Sequence, residues 1–302
     1  MSILRFLLLQ ACVAIGLAVA CGPLLAEIAQ KDLRAAQDPA LQSAVERVVS
    51  SAGLEHEVRL GHLALALVDV TDPSAPRLAM LNGDRMMYAA SMPKVAILVG
   101  ALAEAEAGRL PINATTVTAM TNMIRYSSNE DATRVLRWVG VDRLAEILQS
   151  SRFALYDGAG AGGLWVGKGY GPEPALRRDP VQNLSHGATA FQTARLYWML
   201  ATNQLLSPSM NVLMKQVLSN PGIHHKFVKG LDSRPGVEIY RKSGTWKNFH
   251  ADSALVESHG KRFVMVGIAE HPDGGEWLAR LAAPLHDLIV TPGRATVARR
   301  TE

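Results

Sequence analysis

The chain has 302 residues, of which 48% are apolar and 19% are charged. A chain of this length and composition can bury a substantial core, which argues against intrinsic disorder. The formal net charge is only +4, and the basic residues are spread along the chain, so we expect no nucleic-acid partner.

Residues 1–26 have the pattern of an export signal. Arg5 precedes a long apolar run, and small residues stand just before Cys21. The run is too short to be a convincing membrane span. Both cysteines of the chain, Cys12 and Cys21, lie in this segment, so the mature protein would contain no internal disulfide.

The end of this segment leaves two outcomes open. Cys21 could carry a lipid anchor, but Ala18-Val19-Ala20-Cys21 lacks the usual Leu three residues before the cysteine, which favours ordinary cleavage. Cleavage would release a periplasmic protein, and lipidation would give a membrane-anchored lipoprotein. In both cases we expect residues 27–302 to be exported as one domain.

In chain order, the mature part begins with a predicted helix over about Ala36–Ala52 and two strands, Leu63–Val70 and Arg77–Leu81. Helical periodicity then dominates as far as residue 218. The predicted helices are Met92–Ala107, Val117–Arg125, Asp131–Gly140, Asp142–Gln149, Ala190–Asn203 and Pro208–Leu218.

Strand patterns return after this helical stretch. Three strands are predicted at Glu238–Trp246, Ala251–Val256 and Phe263–Ala269, followed by a closing helix near Glu276–Ile289. This order predicts a mixed α/β (α+β) fold, with an antiparallel sheet built from both chain ends, flanking helices and an inserted all-helical subdomain over about residues 92–218. We expect a cleft where the two parts meet.

Two other patterns could suggest a metal or a cofactor. Gly162–Lys168 fits the phosphate-loop pattern, but Gly169 stands where a Ser or Thr would hold magnesium, so we predict a loop bordering the cleft. His186 and the pair His224-His225 lack a third partner at metal-ligand spacing, which favours solvated loop histidines. We therefore expect neither a cofactor nor a metal.

Three short motifs stand at the boundaries of the predicted elements. Ser91-Met92-Pro93-Lys94 opens a helix, Ser127-Ser128-Asn129 follows a helix, and Lys242-Ser243-Gly244 lies in a late strand. Residues i and i+3 of a helix share a face, so Ser91 and Lys94 would project together. A serine hydroxyl becomes a good nucleophile when an adjacent group takes its proton.

The same short patterns also occur elsewhere in the chain. Ser258-His259-Gly260-Lys261 fits the first pattern, but it lies between two apolar runs and predicts a hairpin turn. Ser209-Met210-Asn211 fits the second, but it predicts a helix start. The order and context of the three motifs therefore carry the interpretation, and no motif carries it alone.

As a set, the motifs and their flanking elements resemble the penicillin-recognising serine hydrolases, and class A β-lactamases most closely. The resemblance runs from about Leu63 to about Ile289. It implies that Ser91 is the nucleophile and forms an acyl-enzyme. It further implies proton transfer by Lys94, Ser127 and Lys242, substrate binding by Asn129, Ser243, Gly244 and Thr245, and an oxyanion hole formed by the backbone N–H groups of Ser91 and Thr245.

The resemblance also singles out Glu173, which precedes Pro174 in the glycine-rich loop. In class A enzymes a Glu at this place holds the water that cleaves the acyl-enzyme; an exposed, solvated Glu is the alternative. Arg177 stands where the family usually has an Asn, and Ser128 replaces the usual Asp, as is common in penicillin-binding proteins. The span between the first two motifs is also shorter. These departures concern deacylation more than acylation.

The resemblance implies an exported serine hydrolase that acts on a β-lactam or related amide. One alternative is a D-Ala-D-Ala carboxypeptidase, a penicillin-binding protein with the same chemistry on the cell wall. Another is a non-catalytic envelope protein that binds peptidoglycan in this cleft. The partner is then a small-molecule β-lactam or a peptidoglycan-type substrate, and we expect a monomer.

Overall fold

The computed structural model describes residues 32–291. The predicted export signal and the lipidation site at Cys21 lie outside the described residues. A short 3-10 helix at Leu33–Ala36 comes first. The α-helices are α1 (Pro39–Ser51), α2 (Glu55–Arg59), α3 (Lys94–Glu106), α4 (Ala114–Arg125), α5 (Asn129–Val139), α6 (Val141–Gln149), α7 (Ala190–Ala201), α8 (Pro208–Leu218), α9 (Phe227–Leu231) and α10 (Gly274–Val290). The strands are β1 (Leu63–Asp69), β2 (Arg77–Leu81), β3 (Met87–Tyr88), β4 (Tyr156–Asp157), β5 (Gly162–Gly163), β6 (Trp165–Val166), β7 (His186–Ala188), β8 (Val237–Trp246), β9 (Phe249–Ser258) and β10 (Lys261–Glu270).

The main sheet has five strands in the order β2-β1-β10-β9-β8. Every neighbouring pair is antiparallel, and β1 from the early part of the chain pairs with β10 from its end, Leu63 opposite Ala269. The predicted sheet built from both chain ends is therefore confirmed. The strand β8 lies at the edge of the sheet, so one side of its backbone is not paired with another strand.

Both faces of this sheet are covered, which explains the unbroken apolar run of β1. Side chains alternate between faces along a strand. Leu63, Leu65 and Leu67 pack into a core shared with α1 and α10, whereas Ala66 and Val68 pack into a second core shared with α3 and α7. A strand buried on both faces needs apolar residues at every position.

The helix α3 forms the centre of the second core. Its residues from Lys94 to Glu104 are all buried, and it packs against α4, α5, α6 and α8. A helix that is apolar on all sides is suited to such a position. The nucleophile motif at its start is therefore held by a rigid, completely surrounded element.

The segment between the sheet strands is more complex than its helical periodicity predicts. It holds α3 to α8, and also the four short strands β4 to β7. The strands β3, β7 and β6 form a three-stranded sheet, and β4 pairs with β5. Trp165 and Val166 pair with β7, which in turn pairs with β3. The glycine-rich loop is thereby joined to the chain just before Ser91.

The hairpin predicted at Ser258–Lys261 is confirmed, because β9 ends at Ser258 and β10 begins at Lys261. Likewise α8 begins at Pro208, as the context of Ser209 predicted. Between residues 32 and 291, no helix is both long and apolar enough to cross a membrane.

Candidate active site

Ser91 lies in a tight turn immediately before α3. Ala90 has a left-handed backbone, with φ of 52°, and Met92 N–H donates to the Ala89 carbonyl at 3.0 Å. The Ser91 side chain is partly exposed, and within the described part of the chain its hydroxyl and its backbone N–H make no hydrogen bond. Both groups are therefore free to meet a ligand.

Gly244 brings the edge strand β8 against this turn. A Cβ atom on Gly244 would lie 2.3 Å from the Ala89 carbonyl oxygen and 2.7 Å from the Ser91 nitrogen. Real Cβ atoms do not approach backbone so closely, so this contact requires glycine. The third motif is thus fixed beside the first by direct backbone contact.

Lys94 is the first residue of α3, and its side chain is fully buried. Its Nζ donates to the Ser127 carbonyl at 2.6 Å and to Asn129 Oδ1 at 2.8 Å, and lies 3.3 Å from Ser127 Oγ. Burial lowers the pKa of Lys94 to about 7, because removal from water disfavours the charged amine. Lys94 can therefore accept a proton near neutral pH.

Ser127 connects the two lysines of the motifs. Its backbone is left-handed, with φ of 57°, and its Oγ accepts a hydrogen bond from Lys242 Nζ at 3.0 Å. Lys242 also donates to the Ser243 carbonyl at 2.7 Å. Burial and the nearby Lys94 charge hold the pKa of Lys242 well below its usual value. One hydroxyl between two amines is an arrangement suited to proton relay.

Asn129 is the exposed first residue of α5. The helix is capped by Ser128, whose hydroxyl accepts from the Asp131 N–H at 3.1 Å. Because Asn129 Oδ1 accepts from Lys94, its amide NH₂ is turned to other partners. That group makes no hydrogen bond with a described residue, which leaves it available to a substrate carbonyl.

A buried polar layer supports β8 from behind. Lys226 Nζ donates to the Gly244 carbonyl at 2.6 Å, to Thr245 Oγ1 at 2.7 Å and to the Ala251 carbonyl at 3.3 Å. Burial lowers the pKa of Lys226 to about 8. His225 Nε2 lies 3.1 Å from Ser243 Oγ. These bonds hold Ser243 to Thr245, the predicted substrate-binding residues, in place.

A buried ion pair lies in the same layer. Arg241 donates twice to Asp252, at 2.7 Å each, and Asp252 also accepts from the Phe227 N–H at 3.1 Å. The pair therefore joins β8, β9 and the start of α9. A paired and hydrogen-bonded charge is the form in which proteins bury charges.

No sequence pattern indicates this layer. His224 is exposed, as expected, but the expectation of a solvated His225 is wrong, because its ring is half-buried and bonded to Ser243. His186 is also buried, in β7. Lys226 follows His225 as an isolated basic residue, and nothing in the sequence distinguishes it from surface lysines.

Glu173 makes no hydrogen bond or ion pair with the other predicted site residues in the described range. Its side chain is exposed, its carboxylate lies beside Gly171, and its backbone carbonyl accepts a hydrogen bond from Lys168. The carboxylate makes no hydrogen bond with any residue in the described range. The predicted role of Glu173 therefore stays a prediction without a supporting contact.

Tyr170 lies where the loop reaches the site. Its ring centroid is 4.4 Å from Lys94 Nζ, and Tyr170 lies three residues before Glu173. Arg177, the departure noted in the sequence, forms an exposed ion pair with Asp142 at 3.1 Å. Among the described residues, no group of three His, Cys, Asp or Glu side chains could hold a metal ion.

The geometry defines a class of protein. Ser91 stands before a buried helix, the buried lysines Lys94 and Lys242 share the Ser127 hydroxyl, and the edge strand β8 lies beside them. This arrangement is that of the β-lactamase and transpeptidase-like superfamily. The model of the β-lactamase enzyme family matches residues 41–289. The chain therefore belongs to the β-lactamase enzyme family.

Solved structures support the fold at low sequence identity. A β-lactamase from Sphaerobacter thermophilus has a TM-score of 0.63 at 16% identity, covering 80% of this chain and 95% of that one. PBP-A has a TM-score of 0.62 at 16% identity, covering 83% and 96%. A mutant class A β-lactamase of the last common ancestor of Gram-negative bacteria has a TM-score of 0.62 at 17% identity, covering 82% and 98%. No curated protein sequence matches the chain.

Proposed function

We propose that the protein is an exported serine hydrolase whose Ser91 is acylated by a β-lactam or by a related amide of peptidoglycan type. The observation that carries this proposal is the placement of Lys94 Nζ and Lys242 Nζ, at 3.3 and 3.0 Å, on the same Ser127 hydroxyl. A binding protein has no need of two buried, uncompensated amines around one hydroxyl beside a free serine.

The chemistry begins with attack of Ser91 Oγ on the carbonyl carbon of the amide. The hydroxyl proton passes to the neutral amine of Lys94, and the carbonyl oxygen becomes an oxyanion near the Ser91 N–H. The C–N bond then breaks. The leaving nitrogen takes a proton from the Ser127 hydroxyl, which the lysines replenish. The product is an ester on Ser91.

The charge of the site favours an anionic substrate. Lys94 and Lys242 have no carboxylate partner within residues 32–291, whereas Arg241 is neutralised by Asp252. Burial, and after it the positive charge of Lys94, holds the pKa of Lys242 well below its usual value. A carboxylate bound nearby would favour its protonated form. Penicillins and the D-Ala-D-Ala end of a stem peptide both carry such a carboxylate.

The edge position of β8 supports an amide substrate. An unpaired strand edge presents backbone N–H and C=O groups that can pair with an extended backbone. The residues Ser243 to Thr245 lie on this strand, and Gly244 holds them against the Ser91 turn. A substrate with its own peptide groups would lie along the strand with its carbonyl at Ser91.

Two forms of this function differ in how the ester is released. Membership of the β-lactamase enzyme family favours a hydrolase of β-lactams. The Glu173 carboxylate is exposed and makes no hydrogen bond within residues 32–291, which favours slow release and thus a carboxypeptidase or penicillin-binding protein. One neighbour, a mutant of PBP-A, is described as an acyl-enzyme complex with penicillin G.

Covalent labelling tests the proposal. The mature protein is incubated with a fluorescent penicillin and the adduct is followed by gel and by intact mass. We expect a single adduct in the wild type and none in Ser91→Ala. The control is Ser209→Ala, which changes an exposed serine in the other sequence that fits the second pattern, and it should give the same adduct as the wild type. An adduct that persists in Ser91→Ala contradicts the assigned nucleophile. Muropeptide binding without any adduct would favour the non-catalytic alternative.

A further inference from the structure

The ring of Tyr170 packs against the amine of Lys94. Lys94 Nζ donates to Ser127 and Asn129, and lies 4.4 Å from the centroid of the Tyr170 ring. An ammonium or amine over an aromatic face makes a favourable contact of this kind. Lys94 has no exposed surface, and the Tyr170 ring is one of the groups that cover it.

The ring extends from Lys94 to the residue that precedes the nucleophile. The Tyr170 hydroxyl lies 3.5 Å from the Ala90 carbonyl oxygen. The aromatic ring therefore spans the region between the amine and the Ser91 turn. Burial holds the pKa of Tyr170 well above its usual value, so the group there is a neutral phenol that cannot act as a base.

Several contacts hold Tyr170 in this position. Its backbone N–H donates to Thr133 Oγ1 on α5 at 2.9 Å, and its ring lies 4.3 Å from the His186 ring. His186 Nε2 lies 3.2 Å from the Lys168 carbonyl. Lys168 Nζ closes the following turn by donating to the Gly171 carbonyl at 2.8 Å. The ring is thus fixed by the loop, by α5 and by β7.

We infer that the Tyr170 ring shields the ester of an acylated Ser91 from water and thereby sets the lifetime of the acyl-enzyme. This inference rests on the proposed acylation of Ser91. Hydrolysis of that ester needs a water whose oxygen attacks the acyl carbon while a base takes one of its protons. The C–Oγ bond then breaks, the proton returns to Ser91, and a carboxylic acid leaves.

Lys94 is the base that the geometry offers for this step, and the aromatic carbons of Tyr170 lie against its amine on the side of the glycine-rich loop. A ring gives water no strong acceptor and occupies the space that the water would need. A base must lie within hydrogen-bond reach of the proton that it takes. Excluding water from a site in this way protects reactive intermediates from hydrolysis.

The test follows release of a preformed penicillin adduct by intact mass, after removal of free penicillin. We expect Tyr170→Phe to keep the wild-type lifetime, because it keeps the ring. In Tyr170→Ala, release should be faster by roughly 10- to 100-fold, since a water can reach Lys94. Arg177→Ala is the matched control. It removes the contact of Arg177 with the Trp165 ring in the same loop, at 5.7 Å, and should leave the lifetime unchanged.

The pH profile separates shielding from general loosening of the loop. In Tyr170→Ala, release should rise with pH as Lys94 loses its proton, whereas wild-type release should stay slow at every pH. The rise should level off once Lys94 is neutral, above its pKa of about 7, whereas loosening alone would expose the ester to hydroxide and give a rate that keeps rising with pH. Release from Tyr170→Ala within about threefold of wild type would overturn the inference.

A measurement on the wild type covers the case in which Tyr170→Ala does not fold. Hydroxylamine is a small nucleophile that cleaves exposed esters, and we expect it to release the native adduct far more slowly than the urea-unfolded adduct. Equal rates of release from the native and the unfolded adduct would overturn the inference that the ester is shielded. Absence of any adduct on the wild type would remove the proposed function and the inference with it. If the adduct forms normally and its lifetime is the same in Tyr170→Ala as in the wild type, the inference fails but the proposed function stands.

Discussion

Replacing Gly244 with Ala tests how closely β8 approaches the nucleophile. The new Cβ would lie 2.3 Å from the Ala89 carbonyl oxygen and 2.7 Å from the Ser91 nitrogen. Non-bonded heavy atoms prefer about 3.5–4.0 Å, so the strand or the turn has to move by roughly 1 Å. Both obstacles are backbone atoms, and a change of side-chain rotamer cannot relieve them.

The expected loss follows from this displacement. A misplacement of about 1 Å at reacting groups can cost roughly 100-fold in rate, which is about 2.7 kcal/mol of barrier. Either movement changes the distance between β8 and the Ser91 nitrogen, the group that would stabilise the oxyanion. Overpacking should also lower the free energy of unfolding by about 1–3 kcal/mol.

The assay is the rate of labelling by a fluorescent penicillin, with a thermal melt of each variant to show that it is folded. Gly158→Ala is the matched control, because its Cβ would meet the Tyr156 ring at an ordinary 3.5 Å. A folded Gly244→Ala that labels within about threefold of the wild-type rate would refute the reasoning.

Three further predictions address the charges of the site. Acylation should become faster as pH rises through about 7. The reason is that Lys94 has a pKa of about 7, and only its neutral amine takes the Ser91 proton. A labelling rate that does not change between pH 5 and 9 would contradict this. Glu173→Gln should change the lifetime of a penicillin adduct less than about twofold, because the Glu173 carboxylate is exposed and makes no hydrogen bond within residues 32–291; collapse of nitrocefin turnover in that variant would instead support fast hydrolysis through Glu173. Arg241→Ala leaves Asp252 buried without its partner and should lower the free energy of unfolding by about 3–5 kcal/mol. Arg177→Ala breaks an exposed pair and should lower it by less than about 1 kcal/mol. Equal melting temperatures for the two variants would contradict a stabilising role for the buried ion pair.

The parts of the fold that could be predicted are those with a repeating pattern. The unbroken apolar run of β1 and the periodicity of α8 locate these elements almost to the residue. The motif residues Ser91, Lys94, Ser127 and Lys242 could be selected because their spacing is short and local. Their convergence depends on antiparallel pairing of β8 and β9 and on the burial of α3, which the patterns also indicate.

The parts that escaped prediction have no local signal. The strands β4 to β7 contain two or three residues each, too few to show alternation. Tyr170 is one aromatic residue in a glycine-rich loop, and its position over Lys94 depends on contacts with Thr133 and His186 from distant elements. The role of Glu173 is expected from the resemblance alone, and in the structure only its backbone carbonyl is bonded, to Lys168.

The most direct test of the account is the intact mass of the mature protein with and without penicillin G. The account predicts a mass increase of one whole penicillin molecule, because the opened amide stays attached, located by peptide mapping at Ser91 and absent from Ser91→Ala. The same spectrum would report the N-terminus of the mature chain. An unmodified mass after prolonged incubation of folded protein, or an adduct located at another residue, would contradict the central claim.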